Sequence, residues 1–501
     1  MSISQSVKNQ LLLRRQFILG PHFVEDVPGW KKIKHDDSLF LTVHPELEIT
    51  QASSGGSSIT MLGFILDPFN PQATNMDICS KLINQVDPGD DVFQRVEHMG
   101  GRYVIVLSAH NDTKIFNDAM GQKTIYYTRD SSGLIWCASQ WGSLSEQLRL
   151  EFGKDTWNEF LESRFFNKDP QYWYPGDSSP FKAIYHLQPN HYLDLKTSEV
   201  VRYWPKANLD FGPIDRCVEQ SAEILRGLMK AASHRFNLAL ALSAGYDSRL
   251  ILAASREVSK DIVFFSQIYP GMDEKSMDIR ISDKLLLKLG LDHRIVRCPS
   301  KIDDPDFLEI YKKNIPTARL IRALGIYCSY KLWGETDTVV MVGLGGELYR
   351  CKYGDRRKYS GNKSRVNAKT LARFTWMRGN DFAIRQYEKW LSTTEQIWKD
   401  YGINTLDLFH WEQRKANWGS LGIMESDIAH ETFLPNNCRR HLAILLSTHE
   451  KYRMPPNYEL NRRLLSYLWP ETLDVPINPY PFKVRTKMRA RRLMRRLGII
   501  G

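Results

Sequence analysis

Between Leu238 and Ala254 the chain reads LALALSAGYDSRLILAA, an apolar run broken by Ser243-Ala244-Gly245-Tyr246-Asp247-Ser248. A buried strand that enters a turn of small residues and leaves as a helix is the layout of an anion site. N–H groups at the helix start point outward, the helix dipole favours negative charge, and small side chains let a phosphate approach. Asp247 adds a carboxylate of the kind that holds the Mg²⁺ accompanying a polyphosphate, and Ser243 and Ser248 add hydroxyl donors. The same residues would equally serve as a small-residue turn between strand and helix. Downstream, IYPGMDEKSMDIRISDKLLLKLGLDH holds Asp278 and His293. An aspartate there reads as a helix cap or a ligand contact, and the histidine as a buried, satisfied ring or a ligand. A further apolar run, TVVMVG, ends in the glycine-rich stretch Gly343-Leu344-Gly345-Gly346-Glu347.

These residues need a scaffold, and the chain offers two kinds. The first ~200 residues read as short β runs broken by turn clusters: FLTVHPELEI, QASSGGSS, ITMLGFIL, then GGRYVIVLSA, KTIYYTR and GLIWCAS separated by HNDTK and DSSG. That pattern predicts antiparallel sheets. The following stretch, KDPQYWYPGDSSPFKAIYHLQPNHYLDL, has too many large side chains to stay solvated and reads as a structured connection. From about Asp215 strands and helices alternate: CVEQSAEILRGLMKAASHR helical, NLALALS a strand, SRLILAASREVSK helical, DIVFFSQIY a strand, and SMDIRISDKLLLKL a helix stopped by Gly290. Alternation predicts a parallel α/β sheet. The remainder, to about Ser466, reads as mainly helical, with Trp376, Trp390, Trp398, Trp411 and Trp418 as core residues.

The chain has 501 residues, of which 42% are hydrophobic and 25% charged. That length allows several domains with cores of their own and excludes a small scaffold held by disulfides or metal. The seven cysteines are scattered and form no C-x-x-C, which argues against a zinc site or a disulfide framework and for a reducing compartment. No stretch approaches the ~18 apolar residues needed to cross a bilayer, and the start lacks a cleavable leader pattern, so the expectation is a cytoplasmic protein. The net charge is +11, but Lys483 to Arg496 carries eight of those positive charges and leaves the body nearly neutral. Such a tail can meet nucleic acid, anionic lipid or an acidic substrate. A solvated terminus is the simpler reading, and a nucleic-acid partner is not expected.

S-A-G-Y-D-S resembles the S-G-G-x-D-S loop of the ATP pyrophosphatase fold. Asp278, Leu289-Gly290, His293 and the stretch Val342 to Tyr349 narrow the resemblance to the asparagine synthetase-like enzymes, including β-lactam synthetases and lasso-peptide cyclases. In the first half, Gly101, Asp118, Gly121, Tyr126, Tyr127, Ala138 and Ser139 resemble that family's amidotransferase pattern. The resemblance covers nearly the whole chain. It implies a glutaminase-like antiparallel β-sandwich over residues 1–205, a doubly wound parallel α/β synthetase domain with a helical C-terminal part over 206–482, and a basic tail over 483–501. It implies ATP and Mg²⁺ as cofactors. ATP would be bound by Ser243, Ala244, Gly245, Asp247, Ser248, Asp278, Gly343, Gly345 and Gly346, while Asp247 and Glu347 would act as catalytic residues and metal ligands.

Departures from the family pattern shape the functional expectation. Position 2 is Ser2 where a working glutaminase exposes a cysteine, and the glutamine-binding stretch is replaced by Leu62-Gly63-Phe64-Ile65-Leu66-Asp67. A pocket of Leu and Phe would leave a glutamine's amide unpaired, at about 1 to 3 kcal/mol for each group. The first half is therefore expected to be a structural relic. In the second half the family's catalytic lysine near Tyr458 is missing, with Arg462 and Arg463 nearby and Lys483 the next lysine downstream. The expected activity is an AMP-forming amide ligase that adenylates a small-molecule or peptide carboxylate and passes it to an amine. Asparagine synthesis from free ammonia and a nucleotide-binding scaffold without ligase activity are the alternatives. Association with further copies or with biosynthetic partner proteins is left open.

Overall fold

The computed structural model describes residues 5–84, 91–109, 112–150, 156–353 and 366–479. Ser2, the basic tail and the side chain of Trp398 lie outside the described residues. Twelve strands build the first half: β1 (Phe17–Gly20), β2 (Lys31–Lys34), β3 (Phe40–Val43), β4 (Ile49–Ser54), β5 (Ser57–Leu66), β6 (Gly100–Ala109), β7 (Asp112–Asn117), β8 (Tyr126–Arg129), β9 (Ile135–Ala138), β10 (Tyr185–His186), β11 (His191–Asp194) and β12 (Val200–Arg202). They form two six-stranded antiparallel sheets, ordered β10-β8-β9-β1-β3-β2 and β12-β11-β7-β6-β5-β4. One core holds Phe17, Leu19, Leu41 and Cys137 from the first sheet against Leu62, Val104, Ile115 and Leu193 from the second, so the sheets pack face to face.

The stretch QASSGGSS, expected as a turn cluster, is mostly strand. Only Gly55 and Gly56 form the turn, with φ of 57° and 81°, and Ser54 pairs with Ser57. A two-residue hairpin of this hand needs positive φ at both positions, which glycine supplies without strain. The aromatic-rich connection is structured as expected, and its strands join both sheets: β10 pairs with β8, and β11 pairs with β7.

The second half is built on a five-stranded sheet of β13 (Asn237–Ala241), β14 (Ile262–Ile268), β15 (Arg294–Arg297), β16 (Thr338–Met341) and β17 (Glu431–Phe433), in the order β15-β14-β13-β16-β17. Every neighbouring pair is parallel. The chain runs outward from β13 to β15, then returns to the other side of β13 for β16, so the winding reverses between β13 and β16. Ligands of such sheets bind in that crevice, outside the carboxyl ends of the strands. β17 falls in the region expected to be helical. At three residues it is too short for any alternation to show in the sequence, and its pairing with β16 defines it. Gly290 ends the helix Met277–Leu289 in the left-handed conformation, as its position predicts.

The tryptophans divide. Trp411 is fully buried and Trp390 nearly so, but Trp376 is 81% exposed, in a turn where its φ is 69°. The core expectation fails for Trp376 because the helix Ala368–Phe374 ends just before it and carries it out of the packed face. All seven cysteines are free thiols. No helix among the described residues is long and apolar enough to cross a membrane.

The two halves meet through buried charge. Arg102 of β6 donates to Asp427 at 2.7 Å and to Glu431 of β17 at 2.7 Å. Asp118, at the end of β7, accepts from the N–H groups of Gln122 and Lys123 at 2.8 Å each and from Asn437 Nδ2 at 2.8 Å.

Candidate functional site

β13 delivers the chain into a turn fixed by its own side chains. The Ser243 N–H donates to Ser248 Oγ at 3.0 Å, the two hydroxyls lie 3.1 Å apart, and the Gly245 N–H reaches Ser243 Oγ at 3.4 Å. The Ala244 N–H donates to Asp278 Oδ1 at 2.9 Å. Asp278 therefore braces the loop from the first turn of its helix, and the Ala244 amide is committed to it. His293 is a satisfied ring: its Nε2 meets Ser266 Oγ at 3.0 Å, and that hydroxyl donates to the Leu242 carbonyl at 2.9 Å. The histidine thus supports the loop from beneath. The helix Tyr246–Ala254 starts at Gly245 and directs its first N–H groups into the turn.

The loop after β16 folds directly over this turn. A Cβ at Gly343 would lie 2.7 Å from the backbone of Asp247 and Ser248, and one at Gly346 would lie 2.1 Å from Asp247 Oδ1. Gly345 holds a φ of 99°. These three glycines are required by the close approach of the two loops and by backbone conformation. Gly245 differs, because a Cβ there would have no neighbour nearer than 3.6 Å. An added methyl group there would make only ordinary contact, with Ser243 Oγ at 3.6 Å and Asn478 Nδ2 at 3.8 Å.

The site contains two basic residues that its sequence motifs did not single out. Arg350, three residues past Glu347, donates through Nη2 to both oxygens of Asp247, at 2.8 and 2.6 Å. Its guanidinium also lies 6.0 Å from the Tyr246 ring and 5.8 Å from the Tyr458 ring. Lys415 is buried and donates to Glu347 Oε2. Burial is the largest single effect and would raise the Glu347 pKa, but Lys415, Lys352 and the other basic neighbours together hold the carboxyl below its ordinary range. His410, one turn before Lys415, is kept neutral by burial and by the neighbouring cations. Lys415 reaches the site from a ten-residue π-helical stretch, His410–Gly419. Arg463 is turned away to Asp215 and Glu459, and Arg462 is exposed, so neither residue near Tyr458 supplies a cation to the site.

As they stand, Asp247 and Glu347 do not fit a Mg²⁺ site. Both Asp247 oxygens face Arg350 and one Glu347 oxygen faces Lys415. Among the described residues no group of three carboxylate, imidazole or thiol side chains converges as metal ligands. Beside the two loops, at the ends of β13, β14 and β16, lies a cavity of about 430 Å³ lined by Gln267, Tyr269, Arg322, Leu344 and Trp418 among others. Phe64 borders a larger cleft of about 1000 Å³ between the two halves, on whose walls Arg14 and Arg15 pair with Glu46, and Arg15 with Glu431.

No protein-family model and no curated protein matches the chain. Among solved structures, it is similar to a glutamine-dependent NAD⁺ synthetase from Acinetobacter baumannii, at 15% identity and a TM-score of 0.19. That match covers 36% of this chain and 32% of the other, about a third of its length. An NH₃-dependent NAD synthetase from Campylobacter jejuni shares 14% identity at a TM-score of 0.20, over 39% of this chain and 90% of the other. A glutamine phosphoribosylpyrophosphate amidotransferase from B. subtilis shares 8% identity at a TM-score of 0.22, over 63% and 91%. At these scores the likenesses carry no argument about function, which rests on the crevice itself.

Proposed function

We propose that this chain is an ATP-dependent, AMP-forming amide ligase. The observation that carries the reading is the convergence of two strand-end loops at the point where the winding of the parallel sheet reverses, with the start of the helix Tyr246–Ala254 facing the turn. The polyphosphate of ATP lies against that helix start, near the hydroxyls of Ser243 and Ser248. The substrate carboxylate attacks the α-phosphorus, the bond to the bridging oxygen breaks, and pyrophosphate leaves. An amine nitrogen then attacks the acyl carbon, AMP leaves with the bonding pair, and the amine gives up a proton.

Each step builds or moves negative charge, which preorganised cations stabilise in a site screened from water. Lys415 and Arg350 are the cations in position to do so. Lys415 stands in for the lysine that the sequence lacks near Tyr458, arriving from a different element. The cavity lined by Leu344 and Trp418 adjoins the second loop and offers the acyl group room beside the nucleotide. The amine is free ammonia or belongs to a second substrate, because the antiparallel half sets Phe64 on the wall of its cleft, where a glutamine amide would need polar partners.

The test is ATP–pyrophosphate exchange by the purified full chain across a panel of amino acids and peptide carboxylates, beside Gly245→Leu, which crowds the helix start against Ser243 and Asn478. Exchange with one carboxylate, lost in Gly245→Leu, is the expected result. Background exchange throughout, with ATP still bound, would replace the ligase with a nucleotide-binding scaffold.

A further inference from the structure

The polyphosphate crevice is electropositive before any ligand arrives. Asp247 is paired with Arg350, and Glu347 with Lys415. Lys352 acts electrostatically on both carboxylates, and Arg414 acts on Glu347. Four cations therefore face three anions, Asp247, Glu347 and Asp278, the last committed to the Ala244 N–H. His410, the remaining titratable ring beside Glu347, is buried and neutral. A site built to gather a divalent cation shows the reverse balance, with carboxylate oxygens open to the metal.

Arg350 is also placed to change partners. Its Nε donates to the Gly346 carbonyl at 3.1 Å, which anchors the side chain at the second loop. The Tyr246 and Tyr458 rings, 5.4 Å apart, flank the guanidinium. Among the described residues Nη1 has no hydrogen-bond partner, while Nη2 alone serves Asp247. A planar fork anchored at one end and shelved on aromatic faces can exchange a carboxylate for a phosphate with little movement, since it matches both bidentately.

We propose that Arg350 and Lys415 supply the positive charge for the polyphosphate in place of a divalent metal, with the Asp247 carboxylate holding Arg350 ready until pyrophosphate or ATP displaces it. The inference rests on the ligase reading for its ligand and departs from the expectation of Mg²⁺ that the sequence raised. Asp247 becomes a competitor for Arg350 and is not itself a phosphate or metal ligand. Its removal should then strengthen anion binding, whereas loss of a metal ligand should weaken it.

Calorimetric titration of the full chain with inorganic pyrophosphate, and separately with ATP, in EDTA and then in Mg²⁺, decides the matter. Wild type is expected to bind pyrophosphate in EDTA with an affinity that Mg²⁺ changes little. Arg350→Gln should weaken binding in EDTA at least tenfold. Asp247→Asn, which keeps the size of the side chain, should tighten it about tenfold, as expected if the unpaired Arg350 is present about a tenth of the time in the wild type. If Arg350→Gln fails to fold, Asp247→Asn carries the decision alone. Binding that requires Mg²⁺ and disappears in Asp247→Asn would overturn the inference and leave the ligase reading standing. Absence of pyrophosphate and ATP binding under both conditions would overturn both.

Discussion

A methyl group added at Gly343 would press on the backbone of Asp247 and Ser248, one added at Gly346 would press on the Asp247 carboxylate, and one added at Gly245 would make only ordinary contact with Ser243 and Asn478. The expected order of damage follows from what can yield. Gly343→Ala should cost about 1 to 3 kcal/mol, since backbone cannot move aside cheaply. Gly346→Ala should cost less, because a side chain can swing away, and Gly245→Ala should be close to neutral; thermal melts of the three variants measure the order. A second expectation concerns Lys415. Its loss leaves Glu347 partly buried without its cation, so Lys415→Met should cost about 3 kcal/mol, most of it recovered in Lys415→Met with Glu347→Gln. A double-mutant cycle in urea reads that coupling directly. Ser243 to Ser248 was legible in the sequence because those residues are contiguous and their small size is itself the signal. Arg350 and Lys415 were not, since each is one basic residue among many and its acidic partner lies far away along the chain.

The helix from Thr405 to Ser426 explains why Lys415 could not be read from periodicity. Its middle, His410–Gly419, is π-helical, so side chains there fall out of the 3.6-residue phase and point in more directions than one apolar stripe allows. Glu412 takes both Arg202 of β12 and Trp390, Asn417 donates to the Gly176 carbonyl at 2.9 Å, Trp411 donates to the Ala119 carbonyl at 2.7 Å, and Lys415 faces Glu347. One element therefore fixes the site cation and grips the antiparallel half at once. Glu412→Ala should show both roles: about 3 kcal/mol of lost stability from the stranded, largely buried Arg202, and weaker nucleotide binding although Glu412 touches no part of the crevice. If stability falls while the affinity for ATP is unchanged, the helix does not transmit position to Lys415. The strands and helix around the first loop matched their sequence patterns because they are buried nearly all round and so read as continuous apolar runs. β17 and the π stretch escaped because pairing and packing, more than local preference, define them.

At the scale of the whole molecule, charge and imidazole are buried along the junction of the two halves, and this sets how the protein responds to acid. Burial holds His44, His186, His191 and His430 down to about 4 and His441 to about 3. All five are neutral in the fold and would titrate near 6.5 in the unfolded chain. A group whose folded pKa is depressed contributes stability that is complete above its unfolded pKa and lost as pH falls toward the folded value. These five rings should therefore cost stability between pH 6.5 and 4, where the unfolded chain binds about four more protons on them than the native one, while Asp247, raised by burial to about 6, takes up a proton in the fold and offsets part of the loss. Glu431, held down to about 2 in the fold chiefly by Arg102 against the opposing effect of burial, acts in the same direction at lower pH. Because Arg102, Asp427 and Glu431 tie β6 to β17, both halves should lose structure in one transition, and urea midpoints followed by near- and far-ultraviolet circular dichroism should coincide at each pH. His441 bridges Ser221 at 3.0 Å and Asn436 at 3.2 Å beneath the second loop, so His441→Gln should flatten the acid slope by about one proton. An unchanged slope in that variant would place the acid sensitivity in the carboxylates of the junction instead.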